Sequence, residues 1–366
     1  MKILLLACLT KNKSGNSFGG AEKSIINLAN WLARNEYSVT LASVEGKEQA
    51  FFVEKNVDFK AYKLKKKSKL STHFQMFLNT QRAVFETKPD IIIGFWIHPM
   101  FYFCLNPIFR KIKMIYSERN DPNLEYGKIA KFMRKIVLQH ASGIVFQTLD
   151  AKRYFSDSIK KKSIVIHNPV YLETHQYPIV EERDNRIVSV GRLNSQKNFS
   201  LLIDSFSTIE KEFPNLVLEI YGEGPLRDEL ENKITMLNLS GKVKLMGAHK
   251  NVLDRIYGAR LFVLPSNYEG MPNALMEAMC LGIPVISSDC PCGGPRELIK
   301  DGVNGFLFEP QNRNHLIQKM KYVLTMNDKD IKPILNEEKK ICITHSQDFI
   351  FGQWVNYISH VKEYKE

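Results

Sequence analysis

The sequence predicts an α/β protein made of two doubly wound domains in tandem. Three observations carry that reading. Short apolar runs alternate with helix-like stretches along the whole chain, and strands separated by helices are parallel strands joined by crossovers. The pattern is interrupted once, by a polar stretch that opens with Asn168-Pro169 and runs to Asn185, and then restarts. At 366 residues the chain is also too long for one typical core. No repeat of 20–50 residues and no low-complexity tract offers another architecture.

In the first half, residues 2–9 are a near-unbroken apolar run, read as a buried strand. Residues 21–35 have helical spacing, with Ile25, Ile26, Leu28, Ala29 and Leu32 on one face. A strand at 37–43, a helix at 75–87 and strands at 91–96 and 113–117 follow. A helix at 128–140 and strands at 144–147 and 163–166 close the half. The second half reads as strands at 187–190, 216–221, 243–246, 261–264, 284–287 and 305–308. Helices at 199–212, 225–237, 252–257 and 272–280 lie between them, and further helices, including 314–324, fill the tail.

The most informative stretch is EGMPNALME, Glu269 to Glu277, behind the apolar run 261–264. Pro272 suits the first position of a helix, where a missing N–H costs nothing. The leading amides of that helix (Met271, Asn273, Ala274 and Leu275 are candidates) and its dipole would form an anion site. Gly270 lets a ligand approach the backbone. Asn273 and Glu277, four apart, share a helix face. A phosphate site flanked by the carboxylates of Glu269 and Glu277 suits a sugar nucleotide.

Other strand-end loops add candidates, because ligands of such sheets bind beyond the carboxyl ends of the strands. Gly191-Arg-Leu-Asn-Ser-Gln-Lys197 offers the Arg192 fork and the Lys197 point charge to a diphosphate. On its own it reads more readily as a surface loop with two solvated cations. Gly222-Glu-Gly-Pro225 is a turn whose glycines permit close ligand approach, but it lacks the dinucleotide fingerprint. Gly19 and Gly20 precede a first-domain helix, without the Lys-Ser/Thr of a P-loop. In Ser117-Glu-Arg-Asn-Asp-Pro122, Glu118 or Arg119 could reach a substrate. Nothing has metal-ligand spacing, and no Ser/His/Asp set is suggested. The cysteines are scattered; Cys290 and Cys292 are the one close pair and read as loop residues of a reducing compartment.

Charge is unevenly placed. Residues 1–180 hold 28 Lys and Arg against 14 Asp and Glu, net +14, while the remainder hold 23 against 25, net −2. An anionic partner met by the first half is implied: nucleic acid, or a membrane with a phosphorylated lipid. Lys63, Lys65, Lys66, Lys67 and Lys69 form one basic cluster, and Lys128, Lys131, Arg134 and Lys135 another. In the second, apolar residues alternate with cations at helical spacing, which suits a helix lying on an anionic bilayer. Either cluster is almost as readily a solvated face. No apolar run approaches the ~20 residues of a membrane span, and the run after Lys2 is too short and too poorly flanked for a signal peptide. A cytoplasmic protein is expected.

These loops, in this order, resemble the retaining glycosyltransferases of family 4. The match runs from Gly19-Gly-Ala-Glu22 through Gly191-Arg192…Lys197, Gly222-Glu-Gly-Pro225 and the Glu269/Glu277 pair to Gly282-Ile-Pro-Val-Ile286 and Gly302-Val-Asn-Gly-Phe-Leu307. Ser117 to Pro122 and Gly293-Gly-Pro-Arg-Glu297 resemble the branch that extends lipid-linked oligosaccharides and capsule repeats. The resemblance implies the GT-B fold, two Rossmann-like domains facing a cleft. It implies a nucleotide-sugar donor, here a uridine diphosphate sugar, and a lipid-linked oligosaccharide acceptor. It implies no metal or other cofactor, and a front-face displacement in which the leaving phosphate helps to deprotonate the acceptor. Arg192 and Lys197 would hold the diphosphate, Glu269 the transferred sugar and Glu277 the ribose. Gly191, Gly222, Gly224, Gly270, Met271, Pro272, Asn273, Ala274 and Leu275 would line the donor. Gly19, Gly20, Glu118 and Arg119 would face the acceptor; many members carry His where this chain has Glu118-Arg119. The implied division is an acceptor domain over 1–170, a donor domain over 171–348, and a terminal helix over 349–366 returning to the first. The expected place is the cytoplasmic face of the plasma membrane, held peripherally. A non-transferring nucleotide-sugar enzyme shares this architecture, but the Glu269/Glu277 segment argues against it, and a catalytically silent partner subunit would more often have lost Glu269, Arg192 or Lys197. A nucleic-acid binder explains the charge but not the second domain, so no nucleic-acid partner is expected.

Overall fold

Apolar runs buried on both faces make the strands of two parallel sheets, seen in a computed structural model of the chain. The structure describes residues 1–9, 20–45, 52–64, 68–119, 121–122, 127–172, 177, 180 and 182–363. Gly19, Lys65, Lys66 and Lys67 lie outside the described residues. The chain divides into two compact units: residues 1–168 with 350–366, and residues 169–349.

The first unit contains β1 (Lys2–Ala7), α1 (Gly20–Arg34), β2 (Ser38–Ser43), β3 (Val57–Ala61), α2 (Lys69–Thr87), β4 (Ile91–Gly94), α3 (Ile97–Cys104), β5 (Lys113–Ser117), α4 (Lys128–His140), β6 (Gly143–Phe146), α5 (Leu149–Arg153), α6 (Asp157–Lys161) and β7 (Ser163–Val165). Its sheet has the order β3-β2-β1-β4-β5-β6-β7, and its pairs are parallel. Five of the six residues of β1 are fully buried, as its apolar run requires.

In this unit β3, α3, α5 and α6 were not foreseen, and the start of α2 differs from expectation. β3 is an edge strand of five residues, VDFKA, buried fully only at Val57, so it lacks the continuous apolar run of its neighbours. α2 begins six residues before the expected start. Ser68 caps it reciprocally with Ser71, and the adjoining lysines had concealed that start.

The second unit contains β8 (Asp184–Val190), α7 (Phe199–Glu212), β9 (Val217–Tyr221), α8 (Arg227–Met236), β10 (Val243–Gly247), α9 (Val252–Ile256), β11 (Ala259–Leu264), α10 (Asn273–Cys280), β12 (Val285–Ser288), α11 (Gly294–Leu298), β13 (Phe306–Phe308), α12 (Arg313–Thr325), α13 (Asp328–Glu338) and α14 (Ile341–Thr344). The sheet order is β10-β9-β8-β11-β12-β13, again parallel. Alternate residues feed two cores. Ile187, Leu261 and Val263 pack with Phe199, Leu202, Phe206 and Leu316 on one face. Val188, Phe262 and Leu264 pack with Leu275, Met276, Ala278 and Met279 on the other. Burying a side chain such as Phe262 contributes roughly 1.5–3 kcal/mol. Helices on both faces of a parallel sheet are the expected doubly wound architecture.

The last helix, α15 (Gln347–Glu363), supplies residues 350–363 to the first unit. Its Trp354 lies 5.8 Å from the ring of Phe95. Tyr357 Oη accepts from the Ile144 amide (2.9 Å) and donates to the Lys162 carbonyl (2.7 Å). Gly143 permits that packing, since a Cβ there would stand 2.6 Å from Val361 Cγ2.

Glu338, at the end of α13, is fully buried and accepts from the Val285 amide (3.2 Å). Burial pushes its carboxyl well above the ordinary range, against the pull of the Val285 amide and the Arg183 and Lys339 charges. The native state therefore favours the protonated acid. Stability is lost as pH rises from the ordinary carboxylate pKa toward the raised native one. Glu338→Gln should raise Tm at pH 8 by about 1–2 °C, the effect of ~1 kcal/mol in a chain this long. The gain should fade toward pH 5, as thermal denaturation across that range would show.

Candidate functional site

In the second sheet β8 and β11 are neighbours, while the chain leaves them toward opposite edges, so the strand order reverses between them. Ligands bind at such a reversal in open α/β sheets. The loop leaving β8 carries Gly191, Arg192 and Lys197, and the loop leaving β11 carries Ser266 to Pro272. Sequence adjacency kept these residues apart; strand adjacency brings them together.

Lys197 Nζ lies 2.5 Å from Glu269 Oε1, which also accepts from Ser266 Oγ at 2.6 Å. Glu269 is 5% exposed, so its charge is held by partners rather than by water. The two loops are laced by Asn267: its amide donates to the Gln196 carbonyl and its Nδ2 to the Ser195 carbonyl, both at 2.7 Å. Asn198 Nδ2 donates to Asn267 Oδ1 (3.1 Å) and Gln196 Nε2 to the Tyr268 carbonyl (3.1 Å). The loop leaving β12 joins them. The Glu269 amide donates to the Pro291 carbonyl (2.6 Å), and the Cys292 amide to the Glu269 carbonyl (2.9 Å). Ser266, Asn267, Gln196 and Asn198 were not singled out in the sequence. Their one signal was nearness to Glu269 and Lys197.

Arg192 is exposed, and among the described residues its guanidinium has no ion-pair partner. Arg192 and Lys197 are therefore unlike: one faces solvent, and the other is already paired.

Two expectations need correction. Pro272 caps α10 instead of occupying its first turn, with φ −79° and ψ 99°. Leu275 is not an open amide, because its N–H donates to the Pro272 carbonyl (3.1 Å) as the chain tightens into the helix. Gly222 and Gly224 admit the close approach of protein backbone. A Cβ on Gly222 would lie 1.8 Å from the Gly191 carbonyl oxygen, and one on Gly224 2.2 Å from that of Leu193. These glycines dock the loop after β9 under the loop after β8. Asn273 and Glu277 are half-buried on one side of α10, while Leu275, Met276, Ala278 and Met279 are buried. Met271 is buried, and Gly270 and Ala274 are partly so. Cys290 and Cys292 are buried free thiols, and burial pushes Cys290 up to about 12.

In the first unit, Gly20 opens α1 and is exposed. Glu118 is 3% exposed, with its amide donating to the Val145 carbonyl (3.0 Å). The Arg119 guanidinium lies 3.8 Å above the Phe95 ring and 6.0 Å from that of Trp354, and it donates to Asn168 Oδ1 at 2.6 Å. The Glu118 amide and the Arg119 Nη1 thus donate within the unit. Arg134 is a further correction. It is 7% exposed, donates to the Pro122 carbonyl (3.1 Å), and stacks near Phe155 and Tyr154, so it does not belong to the basic surface. Lys63, Lys69, Lys128, Lys131 and Lys135 are exposed. Among the described residues no group of acids, histidines or cysteines could hold a metal ion, and no helix is long and apolar enough to cross a membrane.

Comparison with known proteins agrees with this architecture. Residues 18–174 match the model for Glycosyltransferase Family 4, and residues 173–340 that for Glycosyl transferases group 1. The chain is 30% identical over 320 residues to an uncharacterized glycosyltransferase of Methanocaldococcus jannaschii, with 76% of each chain covered. It is 26% identical over 350 residues to the GalNAc-alpha-(1->4)-GalNAc-alpha-(1->3)-diNAcBac-PP-undecaprenol alpha-1,4-N-acetyl-D-galactosaminyltransferase of Campylobacter jejuni, covering 94% of this chain and 96% of that one. Among solved structures, an Anabaena protein in complex with UDP superposes with a TM-score of 0.79 at 18% identity, covering 98% of this chain and 100% of that one.

Proposed function

The chain belongs to the group 1 and family 4 glycosyltransferases, and on that premise we propose that it moves a hexose or N-acetylhexosamine, with retention, from a uridine diphosphate sugar to a lipid-linked or surface-polysaccharide oligosaccharide. The observation that supports this most is the Lys197–Glu269 pair beside the solvent-facing Arg192, at the strand reversal of the second sheet. Arg192 supplies a planar fork for the donor diphosphate. Lys197 lies within the same loop and neutralises charge as the diphosphate departs. Glu269 Oε1 is held by Lys197 and Ser266, which leaves Oε2 to accept from a hydroxyl of the transferred sugar. Glu277 would accept from the ribose. Asn273 and Ala274 lead α10 toward the diphosphate, with Gly191, Gly270, Met271 and Pro272 around it.

The test is thermal stabilisation of the purified protein by a panel of nucleotide sugars, with and without EDTA. Selective stabilisation by a uridine diphosphate sugar, unaffected by EDTA, is expected. Stabilisation by none of them would count against a working donor site. Loss of activity in EDTA, restored by Mn²⁺, would overturn the metal-free reading.

The proposal places the enzyme in the cytoplasm, against an anionic bilayer that carries its acceptor. The outer side of α4 supports this: Ile129 and Phe132 are 77% and 60% exposed between Lys128, Lys131 and Lys135. The start of α2 adds Leu70 and Phe74, 82% and 61% exposed, beside Lys69. Apolar side chains between cations suit the headgroup boundary. Reversing Lys128, Lys131 and Lys135 to Glu should weaken binding to phosphatidylglycerol vesicles by roughly tenfold or more, since each cation near such a surface contributes about 1 kcal/mol. Unchanged sedimentation with the vesicles would make this a solvated face.

A further inference from the structure

A second strand reversal lies in the first sheet, between β1 and β4. The chain leaving β4 passes through Phe95 and Trp96 into α3, which carries His98 and Tyr102. A Cβ on Gly94 would lie 2.1 Å from Met100 Sδ, so glycine is what allows α3 to turn straight back onto β4. From α2, His73 joins the group. Its Nδ1 is 2.6 Å from Tyr102 Oη, and its ring stacks on His98 with centroids 5.3 Å apart and planes at 29°. Phe77 lies edge-on to Tyr102, at 6.2 Å.

The protonation of this cluster follows from its surroundings. Tyr102 is 6% exposed, and burial, with the nearby Cys8 and Glu45, pushes its phenol up to about 12. The hydroxyl therefore keeps its proton, and its contact with Nδ1 couples the tautomer of His73 to the orientation of that hydroxyl. Burial, and then the neighbouring His73, hold His98 below the ordinary imidazole value. Among the described residues no hydrogen bond reaches the nitrogens of His98, and His73 is exposed. The cluster thus offers imidazole nitrogens beside aromatic faces. A phosphate would call for cations, and among the described residues no lysine or arginine is hydrogen-bonded to or stacked on these rings. Hydroxyl groups and an apolar C–H face are what a pyranose presents.

We propose that His73 and His98 bind hydroxyl groups of the acceptor's terminal sugar, at the strand reversal of the first sheet, with Tyr102 coupled to the tautomer of His73. The proposal rests on the glycosyltransferase reading and deepens it, by naming acceptor contacts in place of Glu118 and Arg119.

The test is steady-state transfer to a panel of para-nitrophenyl and farnesyl-diphosphate glycosides of glucose, galactose and their N-acetylamino forms. His73→Ala and His98→Ala should each raise the acceptor KM tenfold or more, with donor KM and donor hydrolysis unchanged. His73→Gln and His98→Asn, which keep a donor, should recover part of the loss, and they carry the test if the alanine variants fold poorly. Tyr102→Phe should shift acceptor KM in the same direction by less. Acceptor KM within twofold of wild type in both histidine variants overturns the proposal. An equal rise in donor KM overturns it too, as does a wild-type enzyme that hydrolyses donor but accepts no glycoside. A wild-type protein that neither binds nor hydrolyses any nucleotide sugar would overturn the glycosyltransferase reading itself, so the two failures are distinguishable.

Discussion

Lys197→Ala should lower turnover by about 10²–10³-fold, the scale seen when one preorganised charge-stabilising group is removed from an active site. The argument begins with burial. Side-chain exposure is 16% for Lys197 and 7% for Glu269, and their charged atoms are 2.5 Å apart. Without the ammonium, the Glu269 carboxylate keeps only Ser266 as a side-chain partner on Oε1. Breaking a buried pair from one side costs ~3–5 kcal/mol in stability, so a lower Tm should accompany the catalytic loss. Lys197→Ala with Glu269→Gln should recover much of the Tm and none of the turnover. That pattern separates the structural share of the pair from its chemical share. Near-normal turnover in the single variant would remove Lys197 from the diphosphate site.

Gly222→Ala should be nearly as damaging, by a route that involves no charge. Gly222 has φ +142°, a conformation L residues rarely adopt, and a methyl there would meet the Gly191 carbonyl oxygen at 1.8 Å. Backbone cannot swing aside as a side chain can. The loop carrying Arg192 and Lys197 must shift, and the hydrogen bond from the Gly191 amide to the Tyr221 carbonyl (2.9 Å) shifts with it. Strain of this kind costs about 1–3 kcal/mol, and the displaced loop should lower nucleotide-sugar affinity at least tenfold. Gly241→Ala is the control: a Cβ there meets nothing within 4 Å. Calorimetry of donor binding to both variants decides the matter. Equal affinities would mean that the loop after β9 does not support the site.

Much of this fold can be read in the sequence because both sheets are parallel and covered on both faces. β1 and β4 are near-continuous apolar runs for that reason, and β11 holds the apolar stretch 261–264. α7 ends where helical periodicity ends, at Glu212. β3 escaped because an edge strand needs only one covered side, and α3 because its aromatic run, with Pro99 inside it, has no helical signature. Within the site, Lys197 and Glu269 were each visible alone. Their contact was not, because it depends on β8 lying beside β11, which residue spacing does not encode. Gly222 and Gly224 were recognised as places of close approach, but a sequence does not say what approaches. Arg134 misled by its charge: it sits between the inward positions Met133 and Val137 of α4, and its guanidinium lies near buried rings.

The terminal helix gives the first unit an unusual history on the ribosome. About 180 residues separate Asn168 from Ile350. At ~5–20 residues per second, the first unit waits roughly 10–40 s for its last piece. For that interval Phe95 lacks Trp354, and the Ile144 amide lacks the Tyr357 hydroxyl. A chain released early can finish its second unit, whose residues are all synthesised, while its first unit keeps an uncovered apolar surface. Such an uncovered surface is the kind that chaperones and proteases recognise until Trp354 packs against Phe95.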